Sequence, residues 1–270
     1  MNLKLKMNLY KILIYSVIIY LTVTLIIFFF QRKIMYHPGV DSYLDEKNLS
    51  HKIEKVTIES ENPLVGWHYE KNKSFKTLLF FHGNAGKLDN RIYKLNEFAE
   101  LNLNYLIFAY RGFSGNKGNP SENGLYKDAE SANIWLNSKG ISDNKIIIYG
   151  ESLGTAVAIE LSQNKKFAGI ILESPFTSMV DLGKKYYPIF PVQLLLKDKY
   201  ESKKKINNIS SPILIIHGKK DKIVPFYMGE KLYELANKPK YNYFTEIDDH
   251  MMTFDEKLIN QINIFINNLN

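Results

Sequence analysis

The sequence predicts an α/β protein, a mostly parallel sheet with helices on both faces, preceded by one N-terminal transmembrane helix. Three observations predict it. From residue 77 onward, apolar runs of strand length alternate with segments of helical length, the pattern of strands buried on both faces. Residues 12–30 carry no charge. The run Ile146-Ile147-Ile148-Tyr149 passes through Gly150-Glu151-Ser152-Leu153-Gly154 straight into a small-residue, apolar stretch of helical length.

The charge-free stretch comes first in the chain. As a helix it would reach roughly 28 Å, close to the thickness of a bilayer's hydrocarbon. A secretory signal would have a shorter apolar region and small residues at a cleavage site. Here Phe28-Phe29-Phe30 runs into Gln31-Arg32-Lys33, so residues 1–33 read as a retained membrane anchor and 34–270 as the α/β domain. Lys4, Lys6 and Lys11 flank one side of the stretch, Arg32 and Lys33 the other. That small excess puts the N-terminus in the cytoplasm and the domain outside it.

Residues 33–51 read as a polar link, with Ile34-Met35-Tyr36 at the membrane interface. Residues 55–59 and 64–69 alternate around Glu61-Asn62-Pro63 and predict an antiparallel pair. Strands are then expected at 77–81, 105–110, 145–149, 169–172, 212–217 and 241–247. Helices are expected at 89–101, 123–136, 153–162, 225–236 and 255–268. Residues 174–211 interrupt the alternation with an aromatic, Leu-rich segment, a length of insertion that usually serves as a lid or binding element. Its basic second half, 197–205, is expected to face solvent.

Composition narrows the function. The chain has 270 residues and no cysteine, which excludes disulfides, thiolate nucleophiles and cysteine-ligated zinc. Its formal charge of +7 is concentrated at the N-terminus, where residues 1–33 hold five basic side chains and no acid. The remainder carries 30 basic against 28 acidic side chains, a balance with no nucleic-acid footprint. Nothing in the sequence sets an oligomeric state.

Gly-x-Ser-x-Gly between a strand and a helix is what a nucleophile elbow needs, because a serine on so sharp a turn requires neighbours without a Cβ. The plain structural alternative is a glycine-flanked serine capping a core helix. A serine hydroxyl needs a base, and the base an acid. Of the six histidines, His37, His51 and His68 precede the sheet core and read as surface residues. His82 and His217 end apolar strands and read as structural. His250 alone lies between the last strand and the last helix, and is taken as the base. Asp221, just beyond the 212–217 strand, is taken as the acid, since catalytic groups gather at the carboxyl edge of a parallel sheet. Asp248 and Asp249 read as turn residues, and Asp181 and Asp198 in the insertion are weaker candidates. An oxyanion hole needs two backbone donors. Leu153 N–H supplies one and Asn84 N–H, in His82-Gly83-Asn84-Ala85-Gly86, the other.

These stretches, with Tyr110-Arg111-Gly112-Phe113-Ser114-Gly115 and His217-Gly218-Lys219-Lys220-Asp221, resemble the α/β-hydrolase superfamily. Within it the chain is similar to the abhydrolase-domain branch of bacterial membrane-anchored hydrolases, abhydrolase-domain-containing 13-like proteins and serine aminopeptidase-like proteins. The likeness runs from about residue 31 to the C-terminus. It implies an α/β-hydrolase fold and a Ser152–Asp221–His250 triad working without metal or cofactor. Pro120-Ser121-Glu122 is a shared structural feature of such proteins. The sequence departs from the pattern at Asp248-Asp249, where many relatives have small residues, and nearby carboxylates favour imidazolium. The expected activity is cleavage of esters or thioesters with apolar acyl groups by a single-pass membrane enzyme acting on a small-molecule or lipid-like substrate. The alternatives are amide hydrolysis by the same triad, or a catalytically silent lipid-binding module.

Overall fold

The computed structural model describes residues 3–39 and 46–269. The chain opens with helix α1 (Leu3–Met35), followed by β1 (His37–Pro38), β2 (Glu54–Ile58), β3 (Leu64–Tyr69), β4 (Lys76–Phe81) and β5 (Ala85–Gly86). Then come α2 (Ile92–Glu100), β6 (Leu103–Phe108), α3 (Glu122–Ser138), β7 (Ile146–Glu151), α4 (Leu153–Ser162) and β8 (Gly169–Glu173). The insertion supplies α5 (Met179–Tyr186) and α6 (Val192–Leu195), and the chain ends with β9 (Ile213–Gly218), α7 (Phe226–Leu235), β10 (Lys240–Thr245) and α8 (Glu256–Asn267). Residues 40–45 of the link expected at 33–51 lie outside the described residues.

One eight-stranded sheet runs in the order β10-β9-β8-β7-β4-β6-β3-β2. The six strands from β10 to β6 are parallel, and β3 and β2 extend that edge antiparallel. Every residue of β6, β7, β8 and β9 is buried. This is why those strands read as unbroken apolar runs, whereas β2 at the rim alternates. β10, the other rim, has no buried residue and begins with Lys240, a charge that discourages pairing with another chain. Helix α4 is buried on all sides except at Glu160. Its Gly154, Ala156 and Ala158 are small because strands and α3 press on it from every direction.

Several expectations shift. The β6 strand starts two residues before the expected 105, and α2 is preceded by a 3-10 turn at Leu88–Arg91. His68 is buried, its ring against Trp135, because its β3 position faces α3. The 197–205 stretch alternates instead of lying in solvent: Lys197, Lys203 and Lys204 are exposed, but Asp198, Tyr200 and Ser202 are buried.

That alternation fastens the insertion to the N-terminal helix. Residues 7–23 of α1 are exposed throughout, over an apolar helix long enough to cross a membrane. Its last turns are not free. Asp198 accepts from Arg32 Nε and Nη2 at 2.7 and 2.9 Å, from Tyr36 OH at 3.2 Å, and from the Glu122 amide at the start of α3 at 3.1 Å. Gln31 donates to Leu195 O and accepts from Lys197 N. Tyr36, expected at the interface, is buried instead, its hydroxyl 2.7 Å from that of Tyr200. Pro120-Ser121-Glu122 joins the same junction: Ser121 caps α3, and Glu122 accepts from Lys199 N.

Arg32 is nearly half exposed while Asp198 is not, so the pair's strength is screened on the cation's side, and deleting the cation mainly strands a buried carboxylate. Arg32→Ala is expected to cost about 1–2 kcal/mol and to speed proteolysis within residues 186–196. An unchanged cleavage rate would mean that apolar contacts alone hold the insertion.

Candidate active site

The strand β7 ends at Glu151, and Ser152 turns the chain into α4 with φ 50° and ψ −113°. A left-handed φ at a non-glycine residue is strained, and it persists only where the surroundings fix it. Here they do. Ser152 N donates to Glu173 O on β8 at 2.9 Å. A Cβ on Gly150 would lie 2.6 Å from Gly154 O, and one on Gly154 would run into the Phe81 carbonyl of β4. Both glycines are therefore required for strand, turn and helix to pass.

The sheet brings the three predicted side chains into a row. Ser152 Oγ lies 3.0 Å from His250 Nε2, and His250 Nδ1 lies 2.8 Å from Asp221 Oδ2. The acid and histidine loops are cross-bonded, with Lys220 N on Asp248 O and Lys219 N on Thr245 O. A Cβ at Gly218 would strike the Asp248 carbonyl. Ser174, itself at φ 51°, donates its hydroxyl to His250 O. Asp248 accepts from Thr245 Oγ1 and Thr253 N, and Asp249 from Met251 N. Both are turn residues, and neither carboxylate is bonded to the His250 ring.

Asp221 collects four donors. Ile223 N and Val224 N bind Oδ1, each at 2.8 Å, while His250 and His217 Nε2, the latter at 3.1 Å, share Oδ2. Burial pushes this carboxyl up, but the hydrogen bonds from His217 and His250 outweigh it and hold the group below the usual carboxylate range. His217 is fully buried. Its Nε2 also lies 3.0 Å from Val224 O, so that nitrogen carries the hydrogen and donates to both oxygens. The ring fits because Gly229 of α7 has no side chain to strike Nδ1. The structural role expected of His217 is thus a second support for the acid.

Asn84 and Leu153 flank the serine's turn. Neither amide has an acceptor among the described residues. The Asn84 loop is held from three sides. Asn84 Nδ2 donates to Met35 O at 2.8 Å, His37 N donates to Asn84 O at 2.9 Å, and β1 pairs with β5 just beyond. Below it, His82 donates Nδ1–H to Gly83 O and accepts from Tyr110 N. Burial, aided by Arg91, pushes this imidazole down to about 3, so it stays neutral and structural, as expected.

Sequence reasoning missed the charges beneath the elbow. Glu151 and Glu173 are register partners on β7 and β8. Lys94 Nζ bridges them at 2.7 and 2.6 Å, Arg91 Nη2 meets Glu151 at 2.7 Å, and Tyr149 OH donates to Glu173. Burial pushes Glu151 up, but Lys94 and Arg91 outweigh it and hold the carboxyl well below its usual range. Arg91 also donates to Ala85 O and Lys87 O, tying the elbow to the Asn84 loop. The one signal in the sequence was a glutamate inside the elbow itself, a position that needs a buried cation.

The prolyl oligopeptidase family model matches residues 116–251, and the model described as Chlamydia CHLPS protein matches residues 7–173. The chain belongs to the α/β-hydrolase superfamily. It is 35% identical to protein Rv2307c of Mycobacterium tuberculosis over 215 residues, 78% of this chain and 76% of that one. It is also 35% identical over 194 residues to the lysophosphatidylserine lipase ABHD12 of Danio rerio, covering 64% of this chain but half of the lipase. The Pyrococcus furiosus esterase Pf2001 shares the fold at a TM-score of 0.70 and 22% identity, over 87% of this chain and 98% of the esterase.

Removing the cation from a buried ion pair costs about 3–5 kcal/mol, because the carboxylates are left uncompensated. Lys94→Met should therefore lower stability by that amount, seen as a lower urea midpoint in detergent micelles. A loss under about 1 kcal/mol would mean that Glu151 and Glu173 share a proton once Lys94 is gone.

Proposed function

We propose that the protein is a membrane-anchored serine hydrolase that cleaves carboxylic esters or thioesters with apolar acyl groups. The observation that carries this is the Ser152–His250–Asp221 row, 3.0 and 2.8 Å per link, beside two backbone amides that have no acceptor among the described residues. Ser152 Oγ attacks the acyl carbonyl while His250 Nε2 takes its proton. Asp221 holds Nδ1–H and stabilises the imidazolium. The Leu153 and Asn84 amides receive the oxyanion. Collapse expels the alcohol or thiol, protonated by His250, and water attacks the acyl-enzyme by the same route in reverse. No step calls for a metal or cofactor. The match to the prolyl oligopeptidase family supports amide hydrolysis by the same groups as the second reading.

Retention of α1 is supported by its bonds to the domain. Cleavage after a signal would remove Gln31 and Arg32 from the junction with the insertion. We place α1 across the membrane as a single pass, with the domain on the non-cytoplasmic side, on the slight excess of lysine before the apolar run.

Full-length protein in detergent should react with a fluorophosphonate, and Ser152→Ala should not. Labelling that survives in Ser152→Ala would move the nucleophile elsewhere. Asp221→Asn is expected to lower kcat on p-nitrophenyl esters by about 10,000-fold, since the histidine then loses the acceptor that sets its tautomer. A drop smaller than about tenfold would assign His250 another acid. Ester against amide preference is read from kcat/KM on matched acyl substrates.

A further inference from the structure

Between α1 and the insertion lies an apolar pocket of about 240 Å³. One wall is the anchor helix, with Ile27, Ile34 and Met35, and the other is α5 and α6, with Met179, Leu182 and Leu195. Its one amide side chain, Gln31, is committed to Phe28 O, Leu195 O and Lys197 N. The pocket ends against both halves of the catalytic site. Met35, in its wall, accepts the Asn84 side chain of the oxyanion loop. Tyr186, in the opposite wall, donates its hydroxyl to Lys222 O and Ile223 O, beside Asp221.

The insertion also reaches far along α1. Tyr20 stacks on Phe190 at 5.6 Å between ring centres and donates its hydroxyl to Ile189 O. Tyr20 lies ten residues, roughly 15 Å, before the end of the charge-free run at Phe30, and that is half of a hydrocarbon core of about 30 Å. The surface carried to that depth is apolar: Ile189 is 70% and Leu194 83% exposed. Its polar side chains are Lys184, which donates to Gln193 Oε1 at 3.2 Å, and Lys185, whose ammonium lies over the Tyr186 and Tyr227 rings. Backbone in hydrocarbon must satisfy itself. The Phe190, Val192, Leu194 and Leu196 amides bond within the insertion, and Pro188 and Pro191 have no N–H to leave open.

We propose that the insertion is sunk in the proximal leaflet and that the pocket takes the acyl chain of an ester lipid directly from the bilayer, with the membrane helix forming part of the substrate site. This rests on Ser152 as nucleophile and α1 as a membrane span. The chain enters sideways between α1 and α5, and the ester carbonyl comes to rest between the oxyanion loop and His250. The occupant is an acyl chain because the pocket offers no charge or uncommitted amide to a polar group, and because its mouth opens where lipid chains are the solvent.

The test uses full-length protein in phospholipid nanodiscs, with p-nitrophenyl dodecanoate and p-nitrophenyl acetate as probes. Leu182→Trp on α5 and Ile27→Trp on α1 fill the pocket from opposite walls. Each should lower the dodecanoate-to-acetate ratio of kcat/KM by about tenfold or more. Should one variant misfold, seen as lost fluorophosphonate labelling, the other decides. A ratio unchanged in a folded variant overturns the acyl site. Fluorescence of Ile189→Trp should be quenched by lipids brominated on their acyl chains, and its absence overturns the bilayer route. If the unsubstituted protein neither labels nor hydrolyses acetate, it is instead the assignment of Ser152 that falls.

Discussion

Two carboxylates stand side by side on neighbouring strands at the carboxyl edge of the sheet, directly under the serine. Glu151 and Glu173 face each other in register on β7 and β8, an arrangement that like charges oppose. Lys94, with no exposed surface, sits between them, and Arg91 completes a neutral set of two acids and two bases. The Coulomb attraction in such a place is large, and so is the cost of removing four charges from water. The cluster is therefore poor evidence of stability and good evidence of geometry. It ties α2 to β7, and through Arg91 it holds the Ala85 and Lys87 carbonyls of the Asn84 loop. Both the end of β7 before Ser152 and the Asn84 loop are tied to it, the latter through Gly83 N and Arg91.

The sheet and the three side chains of the candidate triad are legible because each leaves a local signature. Parallel strands need continuous apolar runs, the elbow needs Gly150 and Gly154, and a histidine after the last strand has few other reasons to be there. What the sequence hid is long-range and polar. Nothing around Lys94, in an ordinary amphipathic helix, announces that it is fully buried. Asp198 looked like one more charge in a basic stretch because its partners, Arg32 and Tyr36, lie about 160 residues away. His217 was seen as structural, but its service to Asp221 depends on a loop that folds back four residues later. His68 was misplaced by its early position in the chain, which says nothing about which face of β3 meets α3.

By sequence alone the N-terminal helix and the insertion are separate features, an anchor and a lid. In the structure they are one assembly, joined by a carboxylate that binds Arg32, Tyr36 and the start of α3 at once. Apolar length explains why α1 could sit in a bilayer. It does not explain Gln31, Arg32 and Tyr36, whose hydrogen bonds run to the insertion.

The short pairing of His37–Pro38 with Ala85–Gly86 has a mechanical consequence. Between the end of α1 at Met35 and that pairing there is a single residue, so the domain is not a ball on a string. With α1 across a bilayer, the catalytic face keeps one fixed bearing toward the lipid surface and has no freedom to swivel away. For the bilayer lipid proposed as substrate, encounter would then be a search in two dimensions, governed by lateral diffusion in the leaflet and not by concentration in the surrounding water.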